Sequence, residues 1–401
     1  MKVRVEDFGA IVAIDDPPAL LHVDPTMARA LGAQGEARWA SPRGWLSAPT
    51  EVHVLVTERC PAGCPSCYVG ATPDGPERPK EEVMRALQRL ADAGVFHVAL
   101  GGGESILRED LWEIAAYARA LGLVPNLTTS GMGMTARVAE RCRVFGQVNV
   151  SLDGLGTVYQ ASRGYDGAAG ALRALRLLAE AGVSCGANTV LCHRTLPGLP
   201  ALLAALEKVG AHEVELLRYK PTGRGTRDYE ERALHEAEAR ALLPTLLAMA
   251  QRHPSLNLKI DCSFVPFLCA ADPPLELLER FGVIGCEAGN VLAAVRADLQ
   301  ATPCSFIEAP IGGVDVLVDA WDSDATLLRW RAYHEREAPE PCASCPYRTL
   351  CKGGCKAVSV HVHGDPFHPD PECPRVRAWN RGETFVAVPL TPNGGHPHAR
   401  Q

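Results

Sequence analysis

The sequence predicts an α/β fold built on a parallel sheet, with a cysteine-stapled region behind it. Apolar stretches of strand length alternate with helical segments from Val52 to Tyr219, the pattern of repeated βαβ units. The polar and glycine-rich motifs fall at the carboxyl ends of those strands, where such folds carry their chemistry. Beyond about residue 275 the chain turns loop-rich, and five cysteines crowd into residues 342–373.

Residues 1–50 read as a small appendage, with short strands at 11–14 and 20–23 around Asp15-Asp16-Pro17-Pro18. The strand at 52–56 runs straight into a first cysteine cluster. Pro79 opens the next helix at its first position, and Gly94 follows its end. A strand fits 96–100. Asp110 is expected to cap a helix that places Leu111, Ile114, Ala115, Ala118 and Leu121 on one face. Further strands fit 124–128, 147–152, 184–191 and 213–219, with helices at 136–142, 169–181 and 199–209. These six strands and their helices make one unit, 51–235. A bridge, 236–275, holds a helix to about residue 253 and a short strand at 257–260. Residues 276–385 form the stapled domain and 386–401 a flexible tail.

Composition excludes several classes. The net charge of −7 lacks the basic balance of a nucleic-acid binder. No apolar run reaches the ~18 residues of a membrane span, and Lys2, Arg4 and Glu6 stand where a signal peptide needs apolar residues. A cytoplasmic chain is expected, without nucleic-acid or membrane partners. Its fifteen cysteines, clustered and without an export signal, point to metal before disulfides.

Cys60-Pro-Ala-Gly-Cys64-Pro-Ser-Cys67 offers three thiols. A structural zinc takes four protein ligands. An iron–sulfur cubane on three thiolates keeps one iron open to a cofactor or substrate. The loop alone leaves open a zinc site completed from elsewhere.

This loop resembles the CxxxCxxC motif of the radical S-adenosylmethionine (SAM) enzymes, and like theirs it follows the first strand. The resemblance implies a [4Fe-4S] cluster on Cys60, Cys64 and Cys67. Its open iron would chelate SAM, and an electron would cleave SAM to a 5′-deoxyadenosyl radical. The family usually has an aromatic residue at the position of Ser66; here Tyr68 follows the loop and is the aromatic candidate for the cofactor. Gly101-Gly102-Gly103-Glu104 resembles the family's GGE motif, with Gly102 and Gly103 allowing close approach and Glu104 on the SAM ammonium. Thr129 ends the third strand at the same mouth. Ser151-Leu152-Asp153-Gly154 is similar to the SLDG segment of one branch, which implies cofactor contacts for Ser151 and Asp153. Arg163 matches a position that holds the SAM carboxylate. Adenine contacts are expected at Asn188, Val190 and Leu217.

The spacing Cys342-x2-Cys345-x5-Cys351-x3-Cys355-x17-Cys373, with Cys286 and Cys304 upstream, resembles the SPASM domain of peptide-modifying radical SAM enzymes. The resemblance implies two auxiliary iron–sulfur clusters, most simply [4Fe-4S]. Cys342, Cys345, Cys351 and Cys373 would hold the distal one, and Cys286, Cys304 and Cys355 the proximal one. The proximal cluster would then have an open iron, a smaller nuclearity or a fourth ligand from elsewhere such as Cys269, and two zinc sites are the alternative. Asp261 and Cys262 end the strand at 257–260 and are the candidate general base and hydrogen-atom donor.

The expected protein is therefore a radical SAM/SPASM oxidoreductase with a partial (β/α)6 barrel, acting on a ribosomally made peptide. The product would be a cross-link, a thioether, a decarboxylated residue or an epimer. Expected partners are the peptide, a separate leader-binding protein and a flavodoxin- or ferredoxin-type reductant. The alternatives are a sulfatase-type protein maturase, a small-molecule dehydrogenase and a non-catalytic iron–sulfur electron carrier.

Overall fold

A computed structural model describes residues 1–15, 18–336 and 338–388. The expected turn at Asp16-Pro17 and most of the expected tail lie outside them. The appendage is a three-stranded antiparallel sheet of β1 (Lys2–Glu6), β2 (Gly9–Asp15) and β3 (Pro18–Val23). β1 was not expected; its charged residues hid it. Arg4 of β1 bonds Glu6 and the carbonyl of Pro49, tying the appendage to the main body.

The main sheet contains β4 (Glu51–Thr57), β5 (His97–Gly102), β6 (Val124–Thr129), β7 (Val148–Ser151), β8 (Cys185–Leu191), β9 (Glu213–Arg218) and β10 (Asn257–Ile260). It continues with β11 (Leu292–Val295), β12 (Gln300–Thr302) and β13 (Gly312–Gly313). The order is β10-β9-β8-β7-β6-β5-β4-β11-β12-β13. From β10 to β11 every neighbouring pair is parallel. Six strands were expected in the barrel. The structure adds β10 beyond β9 and β11 beyond β4, the latter from inside the cysteine-rich region. β11 escaped notice because four residues, Leu292-Ala-Ala-Val295, are too short to show a period.

Helices cover the outer face of the sheet. The helix Lys80–Asp92 buries Val83, Ala86, Leu87 and Leu90, and the helix Leu111–Ala120 buries Leu111, Ile114, Ala115 and Ala118. The helices Ala168–Glu180 and Leu199–Lys208 follow the same spacing, which puts one apolar stripe on the core. Two helix starts differ from expectation. Pro79 is the residue before the first turn of its helix. Asp110 caps nothing with its side chain, because its carboxylate takes the Arg108 guanidinium. The cysteine-rich region also holds helices at Ala325–Arg336, Lys356–His363 and Pro374–Asn380.

Alternation along the strands decides what faces inward. In β4, Val52, Val54 and Val56 are buried in the core under the helices, while Glu51 and His53 line the interior cavity. In β7 and its approach, Val148 and Val150 join the core while Gln147, Asn149 and Ser151 point inside. A two-residue period places alternate side chains on opposite faces. The barrel interior is therefore a polar cavity wrapped in an apolar wall.

Candidate active site

The cavity has a volume of about 490 Å3 and opens at the carboxyl ends of the strands. Cys60, Cys64, Cys67, Tyr68, Gly102, Gly103 and Glu104 line it, as do Thr129, Ser151, Asp153, Arg163, Asn188, Val190 and Leu217. Seven segments of chain, remote in sequence, thus bring the residues expected to meet SAM around one space.

The cysteine loop is held by its backbone. Cys60 N–H donates to Thr72 O at 2.8 Å. Arg224, just past β9, donates from Nε to Cys64 O at 2.9 Å and from Nη1 to Ala71 O at 2.7 Å, and its own N–H reaches Cys67 O at 2.9 Å. Gly223 makes this approach possible: its φ is +56°, and a Cβ there would lie 2.5 Å from Cys67 O and from Tyr68 O. Gly102 and Gly103 are needed for a related reason. A Cβ on either would lie 2.2 Å from a carbonyl of the β4 exit, Thr57 O or Arg59 O. Their close approach is to the protein's own backbone, whereas Gly101 has open space beside it.

Glu104 is buried. Its carboxylate accepts from Thr129 Oγ1 at 2.6 Å, Ser130 N at 2.8 Å and Ile106 N at 3.4 Å, and also from Ser130 Oγ. These donors are all neutral. Burial outweighs them and pushes the Glu104 pKa up. Thr129 therefore orients Glu104. Asp153 has a similar supporting position, accepting from Val190 N at 2.8 Å and pairing with Arg163 Nε at 2.6 Å. Burial opposes the Arg163 charge, but Asp153 and the Cys64 thiol hold it firmly protonated. Asn188 accepts from Asn149 Nδ2 at 2.7 Å. Tyr68 packs against Phe306, with ring centroids 5.1 Å apart.

Several lining residues were missed. His53 bonds Glu51 at 2.9 Å and Ser305 at 3.1 Å. Glu215 lines the cavity, and burial, then the Asp261 charge, raise its pKa. Glu213 accepts from Gln147 at 2.6 Å and pairs with Lys259 at 2.6 Å. The signal was present: polar residues recur two apart at 51 and 53, 147 and 149, and 213 and 215, the spacing of one strand face.

Asp261 and Cys262 do not line this cavity. The Asp261 carboxylate pairs with Lys220 Nζ and accepts from Ser263 N at 3.0 Å, so it is engaged where a free base was expected. Burial, then the Cys286 thiol and Asp261, push the Cys262 thiol well up. Its place outside the cavity departs from the expected hydrogen-atom donor facing the substrate.

Cys342, Cys345, Cys351 and Cys373 share a second, small cavity of about 30 Å3, and Cys269 joins them. Burial pushes Cys342 up to about 12 and Cys373 up to about 11. Backbone N–H groups near five of the thiols, Cys60, Cys286, Cys304, Cys355 and Cys373, act to lower their pKa values against the opposing effect of burial. Between the two groups, Lys356 Nζ is buried without a hydrogen-bond partner. Burial lowers its pKa, while Cys286 on one side and Cys351 and Cys342 on the other raise it. An anionic centre on either side would answer that charge.

Residues 54–199 match the Radical SAM superfamily. The PqqA peptide cyclase of Xanthomonas euvesicatoria pv. vesicatoria is 28% identical over 367 residues, 85% of this chain and 93% of the relative. The mycofactocin maturase MftC of Mycobacterium ulcerans is 30% identical over 343 residues, 82% of this chain and 88% of the relative. SuiB of Streptococcus suis, solved bound to S-adenosylmethionine, superposes with a TM-score of 0.73 at 18% identity, covering 93% of this chain and 98% of SuiB. SuiB has also been solved bound to its precursor peptide SuiA. Likeness of that extent over most of both sequences, on a barrel whose mouth carries the three-cysteine loop, makes this chain a member of the radical SAM superfamily.

Proposed function

We propose that the protein uses SAM and a [4Fe-4S] cluster on Cys60, Cys64 and Cys67 to modify a ribosomally made peptide. The observation that carries this is the match, over most of both chains, to relatives named as a PqqA peptide cyclase and a mycofactocin maturase. With cluster and cofactor bound, SAM is the source of a 5′-deoxyadenosyl radical that takes a hydrogen atom from the substrate. The chain's own residues orient the cofactor. Glu104, buried among neutral donors, gains a counter-charge from the SAM ammonium. Arg163, fixed by Asp153, stands beside Cys64 for the SAM carboxylate. Tyr68, Ser151, Asn188, Val190 and Leu217 shape the rest of the cofactor space. A pure electron carrier has no use for this set.

Two auxiliary clusters belong to the same reading, a distal one on Cys342, Cys345, Cys351 and Cys373 and a proximal one on Cys286, Cys304 and Cys355. The spacing of the cysteines, the small cavity the distal four share and the buried Lys356 support it. A flavodoxin- or ferredoxin-type reductant in the cytoplasm would supply electrons, and a separate protein would present the peptide leader. No described helix is long and apolar enough to cross a membrane.

The test is anaerobic incubation of reconstituted protein with SAM, dithionite and a peptide encoded beside its gene. Expected are 5′-deoxyadenosine and a peptide of changed mass. In deuterated water, loss of two hydrogens marks cross-linking and a carbon-bound deuteron marks epimerisation. Cys60, Cys64 and Cys67 together replaced by Ala should abolish 5′-deoxyadenosine and leave the other iron in place. Zinc as the dominant metal, or 5′-deoxyadenosine formation with no peptide changed, would overturn the reading.

A further inference from the structure

The exit of β10 brings a cysteine to the proximal group. Asp261 pairs there with Lys220 Nζ. Lys220 Nζ lies 4.4 Å from the Phe306 ring centroid, two residues past Cys304. The carbonyl of Ser263, next to Cys262, accepts from Arg218 Nη1 at 3.1 Å. The same nitrogen donates to Asp370 Oδ2 at 2.6 Å, and that oxygen accepts from Cys355 N at 2.8 Å. A single guanidinium–carboxylate bridge thus separates the backbone beside Cys262 from that of Cys355. Cys286 closes the group: three residues on, Gly289 N–H donates to the carbonyl of Pro303, next to Cys304, at 3.0 Å. Cys269, the other candidate, lies elsewhere, in the small cavity with the four distal cysteines.

We propose that Cys262 is the fourth thiolate of the proximal auxiliary cluster, with Cys286, Cys304 and Cys355. The inference rests on the reading that those three cysteines hold an iron–sulfur cluster. It adds a ligand from the strand that closes the barrel edge, so the proximal centre staples β10 to the cysteine-rich region. It also assigns a role to the centre. Four thiolates leave no iron position for a substrate atom, and such a centre passes electrons or holds the fold. Lys220, between Asp261 and the thiols, sets a positive charge beside it, and hydrogen bonds and nearby charge tune such centres.

The test uses the full chain with Cys60, Cys64 and Cys67 replaced by Ala, reconstituted anaerobically. This background should hold about eight irons, as two cubanes require. The electron paramagnetic resonance spectrum of its reduced form should not move on adding imidazole. Adding Cys262→Ala should lower iron by about one per chain, or leave a signal that imidazole now shifts. Cys262→Ser, which restores a ligand atom, should recover the iron and the insensitivity to imidazole. Cys269→Ala should leave the proximal signal alone. Unchanged iron and unchanged imidazole response in Cys262→Ala would overturn the assignment, as would a background already shifted by imidazole. A background that holds zinc or no iron would instead overturn the cluster reading beneath it.

Discussion

Arg218 meets Asp370 through two hydrogen bonds, Nη1 to Oδ2 at 2.6 Å and Nη2 to Oδ1 at 2.9 Å, with both side chains 1% exposed. The pair joins the end of β9 to the cysteine-rich region, and Glu372 adds a third contact at 2.9 Å. Removing one partner of a buried pair leaves an uncompensated charge. Arg218→Met is expected to cost about 3–5 kcal/mol, read as a lowered urea midpoint under anaerobic conditions. Arg218→Lys should not recover it, because one ammonium cannot match the two-oxygen fork. An unchanged midpoint would show that the two regions are held together by other contacts.

Glu104→Gln should weaken SAM binding about 10–150-fold, the worth of one charge-assisted hydrogen bond at ~1.5–3 kcal/mol. The pH dependence has a definite sign. Burial raises the Glu104 pKa in the free site, so the carboxylate takes up its proton above the usual carboxylate range as pH falls. SAM affinity should drop through that raised value in the natural protein and stay level in Glu104→Gln. Calorimetric titration of the reconstituted protein at stepped pH measures both, and a parallel drop in the variant would remove Glu104 from the ammonium.

The cysteine loop should come loose when its outer clamp is cut. Arg224→Ala removes two side-chain bonds to the loop carbonyls, and Gly223→Ala drives a methyl into Cys67 O. Both should release about four irons per chain to a chelator faster than the natural protein does, with the remaining iron retained. Equal release rates would show that the loop holds its shape without β9.

Glu215, unlike Asp261, lines the cavity, with a pKa raised by burial and by Asp261, as suits a group that exchanges protons. Glu215→Gln should leave SAM cleavage intact and reduce peptide product by about 10²–10⁴-fold. Its stability effect is also signed. The folded state binds this proton more tightly than the unfolded one, so stability is lost as pH rises from the ordinary carboxylate value through the raised one. Urea midpoints of Glu215→Gln should be flatter over that window. Full product yield from the variant would return Glu215 to a structural role.

What the sequence determined by itself is local. The spacing of Cys60, Cys64 and Cys67, the glycines before Glu104 and the alternation of strand and helix are short-range patterns, and each is set by bond geometry within a few residues. They sufficed for the fold class and, through the family resemblance they carry, for the expected cofactor and the residues that line the cavity. Only the tertiary structure decided which distant segments share a centre. The pairing of Leu292–Val295 with β4, the engagement of Asp261 by Lys220 and the separation of Cys262 from Cys269 depend on contacts across tens to hundreds of residues. No local period encodes them. They are settled by which edges of the sheet remain unpaired and by which buried charges must find a partner.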